Sequence, residues 1–186
     1  ANPCGEQPLP SYGACLLGSI NLAKLVNRPF TDEAEIDFSE LESLVTVSVR
    51  MLDNAIDNSR YPLPEQEREA VAKRRIGLGI TGLADALIMC GARYGGTKAV
   101  ALTEQWMAVF QRAAYLASSA LAGEKGAFPL FDAEEHLAGE FVTGLEQEVR
   151  QAIADHGLRN ALITSVAPTG TVSLLADNVS SGIEPV

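Results

Sequence analysis

The sequence predicts an α/β fold on three observations: long stretches with apolar residues at helical spacing, a few short apolar runs of strand length, and no internal repeat, low-complexity tract or interdomain linker. With 186 residues, 47% hydrophobic and 20% charged, the chain can bury a substantial core and suits one domain or a large part of one.

The elements follow in order. "NPCGE" at residues 2–6 reads as a loop or strand end, because Pro3 lacks an amide donor and Gly5 permits unusual backbone angles. "YGACLLGSINLAKLV" returns the chain from this tip, with Cys15 on a strand. "FSELESLVTVSVRMLDNAIDNS" predicts an amphipathic helix, with a Ser39–Glu42 capping pattern and apolar residues at Leu41, Leu44, Val45, Leu52 and Ile56, ended by "YPLP". A shorter helix is expected over Glu65–Arg75, then a glycine break and a helix around Gly82–Met89. An alanine-rich stretch from Lys98 to Leu121, carrying Trp106, Phe110 and Leu116, reads as a long helix. "GEKGAFPLFDAEEHLAGE" reads as irregular. Thr143 and Glu146 open a further helix that Gly157 closes, and "ALITSV" is a short strand running into "APTGTVSLL".

Composition narrows the function. A formal charge of −10 argues against general nucleic-acid or anionic-membrane binding. No apolar run reaches membrane-spanning length free of charges or turn signals, and a cytoplasmic setting is expected. Three cysteines without a CxxC or clustered His/Cys spacing suggest reduced thiols and no metal site. The chain opens on Ala1 and closes on "SSGIEPV", so an internal piece of a longer polypeptide is expected.

The opening motif carries the chemistry. In an extended segment alternate side chains share a face, so Asn2, Cys4 and Glu6 present an amide, a sulfur and a carboxylate together. The bland alternative is a turn with a buried thiol. "PTGT", Pro168, Thr169, Gly170 and Thr171, follows a strand and supplies hydroxyls and free amides; a helix starting near Val172 would favour phosphate there, but these residues taken alone read better as an ordinary turn. "GLGITG" at 77–82 matches GxGxxG but lacks a preceding strand and a later acidic residue, so the dinucleotide reading is rejected in favour of close packing between helices. His136 reads as a surface residue and His156 as a helix-end residue, Asp53 and Asp57 as locally bonded or solvated carboxylates, and Cys90 as core.

Four blocks, "NPCGEQPLPSYGACLLGSINLAKLV", "LDNAID", "RRIGLGITGLADAL" and "APTGTVSLLADNVSSGIEPV", occur in an order that resembles the ribonucleotide reductases, most of all their adenosylcobalamin-dependent type. The resemblance covers essentially the whole chain. It implies part of a ten-stranded α/β barrel of two five-stranded halves, with a central finger loop carrying Asn2, Cys4 and Glu6; residues 1–186 cannot close that barrel alone. It also implies a ribonucleotide substrate, a thiyl radical on Cys4, Glu6 as base, and Asn2 as a hydrogen-bonding partner of the ribose hydroxyls. Cys15 matches one member of a redox pair whose partner lies upstream, served by a thioredoxin-like or other dithiol reductant. Pro168 to Thr171 match the phosphate loop, and Leu17 borders base and sugar. Adenosylcobalamin is the implied cofactor, and a homodimer the implied state of the full-length protein. An iron-dependent type of reductase, an acyl-transfer enzyme using Cys4, and a module inactive on its own are the competing readings.

Overall fold

The computed structural model describes residues 4–186; Asn2 and Pro3 therefore lie outside the described residues. Strand β1 (Leu16–Asn21) leads into a 3-10 turn (Leu22–Leu25), whose Asn21 side chain accepts from the Ala23 amide. A small antiparallel pair, β2 (Val26–Asn27) and β3 (Glu35–Ile36), precedes α1 (Phe38–Asn58). Then come α2 (Pro64–Lys73), β4 (Ile76–Thr81), α3 (Leu83–Met89) and the long α4 (Thr97–Lys125). Short α5 (Ala133–Ala138) and α6 (Glu140–Thr143), α7 (Gln147–His156) and α8 (Gly170–Leu175) complete the order.

The centre is parallel. β1 pairs with β4 in the register Leu16↔Ile76 to Asn21↔Thr81, joined by a crossover through α1 and α2. A third line of chain runs along the far side of β4: the Ile76 amide donates to Leu162 (3.0 Å), the Leu78 amide to Ile163 (2.8 Å) and the Ser165 amide back to Leu78 (3.0 Å). The bridge Leu78↔Thr164 is parallel. Among the described residues this sheet is open-edged and does not close into a barrel.

One face of the sheet is core. Ile20, Ile76, Leu78 and Ile80 are buried there, against α1, which contributes Leu41, Val45, Val49, Leu52 and Ile56 at three- and four-residue spacing. Each such side chain stabilises the fold by about 1.5–3 kcal/mol. The helix α4 packs on α1 and α7 through Trp106, Phe110 and the small residues Ala113, Ala114 and Ala117.

Several expectations are corrected. "IGLGIT" is not a break between helices but strand β4, buried throughout, so its glycines do not serve helix–helix packing. Cys15 stands immediately before β1 and not within it. The cap of α1 is Asp37, which accepts from the Glu40 amide (3.0 Å) and the Ser39 hydroxyl (2.8 Å); Ser39 is already inside the helix. Thr143 ends α6 instead of opening α7, its hydroxyl donating to the Glu140 carbonyl, and Asp132 caps a helix in the stretch read as irregular. The strand expected over 161–166 is reduced to one bridge, because the chain leaves the sheet plane after Thr164 and passes over β4 at Gly79. A Cβ on Gly79 would lie 2.0 Å from the Ser165 carbonyl oxygen.

The two aspartates also differ from expectation. Asp53 is fully buried and gathers four elements: its carboxylate accepts from Arg74 Nε (2.8 Å) and Asn160 Nδ2 (3.1 Å), with Arg159 Nε at 3.3 Å and Lys125 Nζ at 3.5 Å. Arg74, buried and in the left-handed region at φ 47°, also donates to Asp57 (2.7 Å) and to the Asp53 carbonyl (3.0 Å). Asn160 donates to the Arg74 carbonyl (3.0 Å) and accepts from the Ser118 hydroxyl (2.9 Å). This network fixes the start of β4 against the start of the third line of chain.

Burial alone would push the Asp53 carboxyl up, but the hydrogen bonds and charges of Arg74 and Arg159 outweigh it and hold the group below the usual carboxylate range. Its contribution is therefore complete above its unfolded value of about 3.9 and is lost as pH falls through the lower folded value. Asp53→Ala should cost about 3–5 kcal/mol in urea unfolding, since it leaves buried cations without their shared partner. The variant's stability should also fall less steeply on acidification. Gly79→Ala should cost about 3 kcal/mol or more, at the upper end of overpacking effects. Gly170→Ala is the control: a Cβ there meets nothing within 4 Å, so its unfolding free energy should stay within about 0.5 kcal/mol of the parent.

Candidate active site

The opening segment lies on the sheet face opposite the core. Parallel register puts residues 17 and 19 beside 77 and 79 on that face. Gly77 is what makes it accessible: a Cβ there would stand 2.6 Å from Leu17 Cδ2, 3.0 Å from Ser165 Cβ and 3.1 Å from Gln7 Nε2. With no side chain in the way, Gln7 is buried over the strand and its amide reaches the Thr164 carbonyl (3.5 Å). The Ser165 hydroxyl donates to the Glu6 carbonyl (2.9 Å). Two bonds thus lay the opening segment along the third line of chain.

This docking gathers a cavity of about 360 Å³, lined by Cys4, Gly5, Glu6, Val166, Ala167, Pro168, Ile183 and Glu184. Cys4 is exposed at its mouth. Glu6 is half-buried, and its Oε2 is fully shielded with no hydrogen-bond partner among the described residues. A shielded carboxylate oxygen without a donor is costly unless something arrives to supply one. Of the residues singled out from sequence, Cys4, Glu6 and Pro168 line this one cavity. Leu17 lies on β1 over Gly77, partly exposed, and Thr169, Gly170 and Thr171 continue from Pro168 into α8.

Cys15 stands just outside the cavity but within its electrostatic reach. Burial pushes its thiol up to about 11; the charge of Arg75 pulls the other way, and the Glu6 carboxylate adds to the rise. Arg75 is itself bound to Glu69 (2.8 Å). Cys15 is therefore held as the neutral thiol, with a hydrogen to give. Cys90 is buried core, as expected from sequence, and all three thiols are free. His136 packs against Phe131 (5.2 Å between ring centroids) and is half-buried, which depresses its pKa. Neither it nor His156 lines the Cys4 cavity.

The turn at 168–171 is tied to the carboxyl end of β4. Thr169, at φ 56°, donates its hydroxyl to Thr81 Oγ1 (3.1 Å) and to the Ser181 carbonyl (3.2 Å). Asn178 bridges this end to β1, donating to Thr81 (3.2 Å) and accepting from Asn21 (2.6 Å). The carboxyl ends of parallel strands are where α/β sheets commonly hold ligands. Sequence reasoning missed Glu184, Ile183 and Arg75; the first two sit in the block "SSGIEPV", and Arg75 acts on Cys15 only once the fold brings them within electrostatic reach. Among the described residues, no group of three or more His, Cys, Asp or Glu is arranged to hold a metal ion, and no helix is long and apolar enough to cross a membrane.

Comparison with known proteins identifies the family. A family model described as the ribonucleotide reductase barrel domain matches residues 1–186. Over the whole chain, 44% of residues are identical to a vitamin B12-dependent ribonucleoside-diphosphate reductase of Mycobacterium tuberculosis, of which the match covers 24%. A protein of the same name from Thermoplasma acidophilum is 39% identical over 185 residues, covering 22% of its length. The ribonucleoside-diphosphate reductase subunit alpha of Treponema pallidum is 33% identical over 174 residues, covering 89% of this chain and 20% of that one. The chain thus spans about a quarter of the length of the curated relatives it matches. A chain matched from end to end by that family model, with the Cys4–Glu6 segment laid over a parallel sheet, belongs to the ribonucleotide reductase barrel-domain family.

Proposed function

We propose that this chain carries the chemical centre of a ribonucleotide reductase, which converts ribonucleoside diphosphates or triphosphates to 2′-deoxyribonucleotides. The observation that carries the reading is the one cavity shared by Cys4, the Glu6 carboxylate oxygen that has no partner among the described residues, and the start of the 168–171 turn. In this reading residues 1–186 form one part of a catalytic barrel domain, contributing the finger loop and several strands of a ten-stranded barrel.

The residues divide the work as follows. A thiyl radical on Cys4 removes the 3′ hydrogen atom of the ribose, forming S–H and a carbon radical. Glu6 takes the 3′-hydroxyl proton, satisfying its unpartnered oxygen. Asn2 holds the ribose hydroxyls, which confines the sulfur to one hydrogen. The 2′-hydroxyl takes a proton from one thiol of the redox pair and leaves as water, the other thiol hydrogen goes to C2′, and Glu6 returns its proton to the 3′ oxygen at the end. Two electrons come from Cys15 and an upstream thiol, which end as a disulfide, and Cys4 returns the 3′ hydrogen and regains its radical. A dithiol protein then reduces the disulfide for the next turnover. The high pKa of Cys15 suits this role, since it keeps the hydrogen on sulfur until the sugar radical needs it. Thr169, Gly170 and Thr171 hold the phosphates through the amides that open α8, with Leu17 beside the base and sugar.

Adenosylcobalamin, when bound, supplies the one-electron oxidation that takes the hydrogen atom from Cys4. The residues fit such a group to this extent: Cys4 is exposed at the mouth of a cavity sized for sugar and phosphate rather than a corrin. The B12-dependent relatives favour this cofactor over a partner-subunit radical. A full-length homodimer in a reducing cytoplasm completes the proposal.

In the full-length polypeptide, Cys4→Ser should abolish deoxynucleotide formation and leave nucleotide affinity within about twofold, because serine is nearly isosteric. Sustained turnover by that variant, with cofactor and a dithiol present, would exclude the thiyl assignment. Cys15→Ser should permit one turnover at most. Iodoacetamide labelling of Cys15 should accelerate with pH up to about 11, where its thiol ionises, and a plateau near neutrality would contradict the geometry given for it.

A further inference from the structure

The lining of the Cys4 cavity comes from segments far apart in the sequence, and one side chain joins two of them. Cys4, Gly5 and Glu6 supply one part, and Val166, Ala167 and Pro168 another. Ser165 stands immediately before the second, and its hydroxyl donates to the Glu6 carbonyl (2.9 Å), 159 positions away. The serine is itself held on β4. Its amide donates to the Leu78 carbonyl (3.0 Å), its own carbonyl lies over Gly79, where a Cβ would come within 2.0 Å of it, and its Cβ stands 3.0 Å from where a Cβ on Gly77 would be. Ser165 is therefore a fixed point.

The opening segment is the opposite case. Gly5 has φ 77°, and a Cβ built on it would meet nothing within 4 Å, so no neighbour packs closely against the residue that joins Cys4 to Glu6. Cys4 is exposed, and neither Cys4 nor Gly5 makes a backbone hydrogen bond to another described residue. The attachment that sets the place of Cys4 thus falls on the residues after the glycine: the Glu6 carbonyl on Ser165, and the buried Gln7 side chain with its amide on the Thr164 carbonyl (3.5 Å). At 2.9 Å against 3.5 Å, the Ser165 bond is the stronger of these two. The shielded Glu6 Oε2, which has no partner among the described residues, owes its place in the cavity to the same attachment.

We propose that Ser165 is a positioning residue for hydrogen-atom transfer: its hydroxyl anchors the Glu6 carbonyl to the sheet and thereby sets the distance between the Cys4 sulfur and a ribose lodged against residues 166–168. This rests on the reading of Cys4 as the thiyl residue. In the step it serves, S–H forms as the C3′–H bond breaks, and the unpaired electron passes from sulfur to C3′. Ser165 neither gives nor takes a proton. A misplacement of about 1 Å can lower such a rate about a hundredfold, so a single bond that biases the segment toward the sheet controls turnover without touching substrate.

The test uses the full-length polypeptide and Ser165→Ala. Without cofactor, amide exchange at Gln7, slow in the parent because this residue is buried over Gly77, should quicken about fivefold, the scale of one neutral hydrogen bond, while exchange along β4 stays unchanged. With adenosylcobalamin and a dithiol present, kcat should fall about fivefold and KM should stay within about twofold. Substrate deuterated at C3′ should show a larger isotope effect on kcat than in the parent, because hydrogen transfer then limits turnover more. Parental exchange at Gln7 in the variant would overturn the inference whatever the reaction is, as would fast exchange there in the parent or an equal quickening along β4. Faster exchange at Gln7 with kcat unchanged would also overturn it. So would a lower kcat at an unchanged isotope effect, which marks a smaller folded fraction. Deoxynucleotide formation by the parent, with Cys4→Ser as the blank, decides the functional reading separately.

Discussion

Two backbones lie in direct contact across β4, and the placement of the site follows from that contact. At Gly79 the carbonyl of Ser165 occupies the space a side chain would fill, and at Gly77 the same is true of Leu17, Ser165 and Gln7. Any Cβ at either position pushes the 165–168 segment or the 4–7 segment off the sheet. The first segment would then no longer deliver Pro168 and Thr169 to the carboxyl end of β4, and the second would no longer hold Cys4 beside them. Glycine in a strand interior is unfavourable on its own, and its presence twice in six residues is explained by this close approach.

The contact needs a rigid frame, which Asp53 supplies. Arg74 immediately precedes β4 by two residues, and Arg159 and Asn160 precede the third line of chain; all three converge on one buried carboxylate from α1. The strand that carries the glycines and the strand that crosses them are thereby indexed to each other from below, while Thr81, Thr169 and Asn178 index them from above. A single desolvated ion is an expensive anchor, and it is satisfied here by several donors on different elements, which makes it specific to this arrangement.

Much of this was legible in the sequence, and the failures have physical causes. The helices α1 and α4 were readable because their apolar residues recur at helical spacing over many turns. β4 was not, because glycine is poor in strands and "GLGITG" carries no alternation; a strand buried on both faces leaves no periodic signal. Asp53 reads from sequence as locally bonded or solvated because its partners Arg74, Lys125, Arg159 and Asn160 are scattered along the chain, and nothing local marks a carboxylate for burial. For the site, "NPCGE" announced its chemistry, and Cys4 and Glu6 do share a cavity with Pro168. Glu184 went unnoticed because its place in the Cys4 cavity depends on a turn whose shape only the fold reveals.

The physical picture is of a sulfur presented at the rim of a small cavity, with a shielded carboxylate oxygen that has no hydrogen-bond partner among the described residues beside it, and the start of the 168–171 turn distant in sequence but adjacent in space. The measurement that tests it most directly is a crystal structure of the full-length polypeptide with a ribonucleotide bound. The account predicts the Cys4 sulfur about 3.5 Å from the ribose C3′, the Glu6 carboxylate on the 3′-hydroxyl and the phosphates on the amides of residues 170–172. A nucleotide bound elsewhere, or one seated here with its sugar turned away from Cys4, would contradict it.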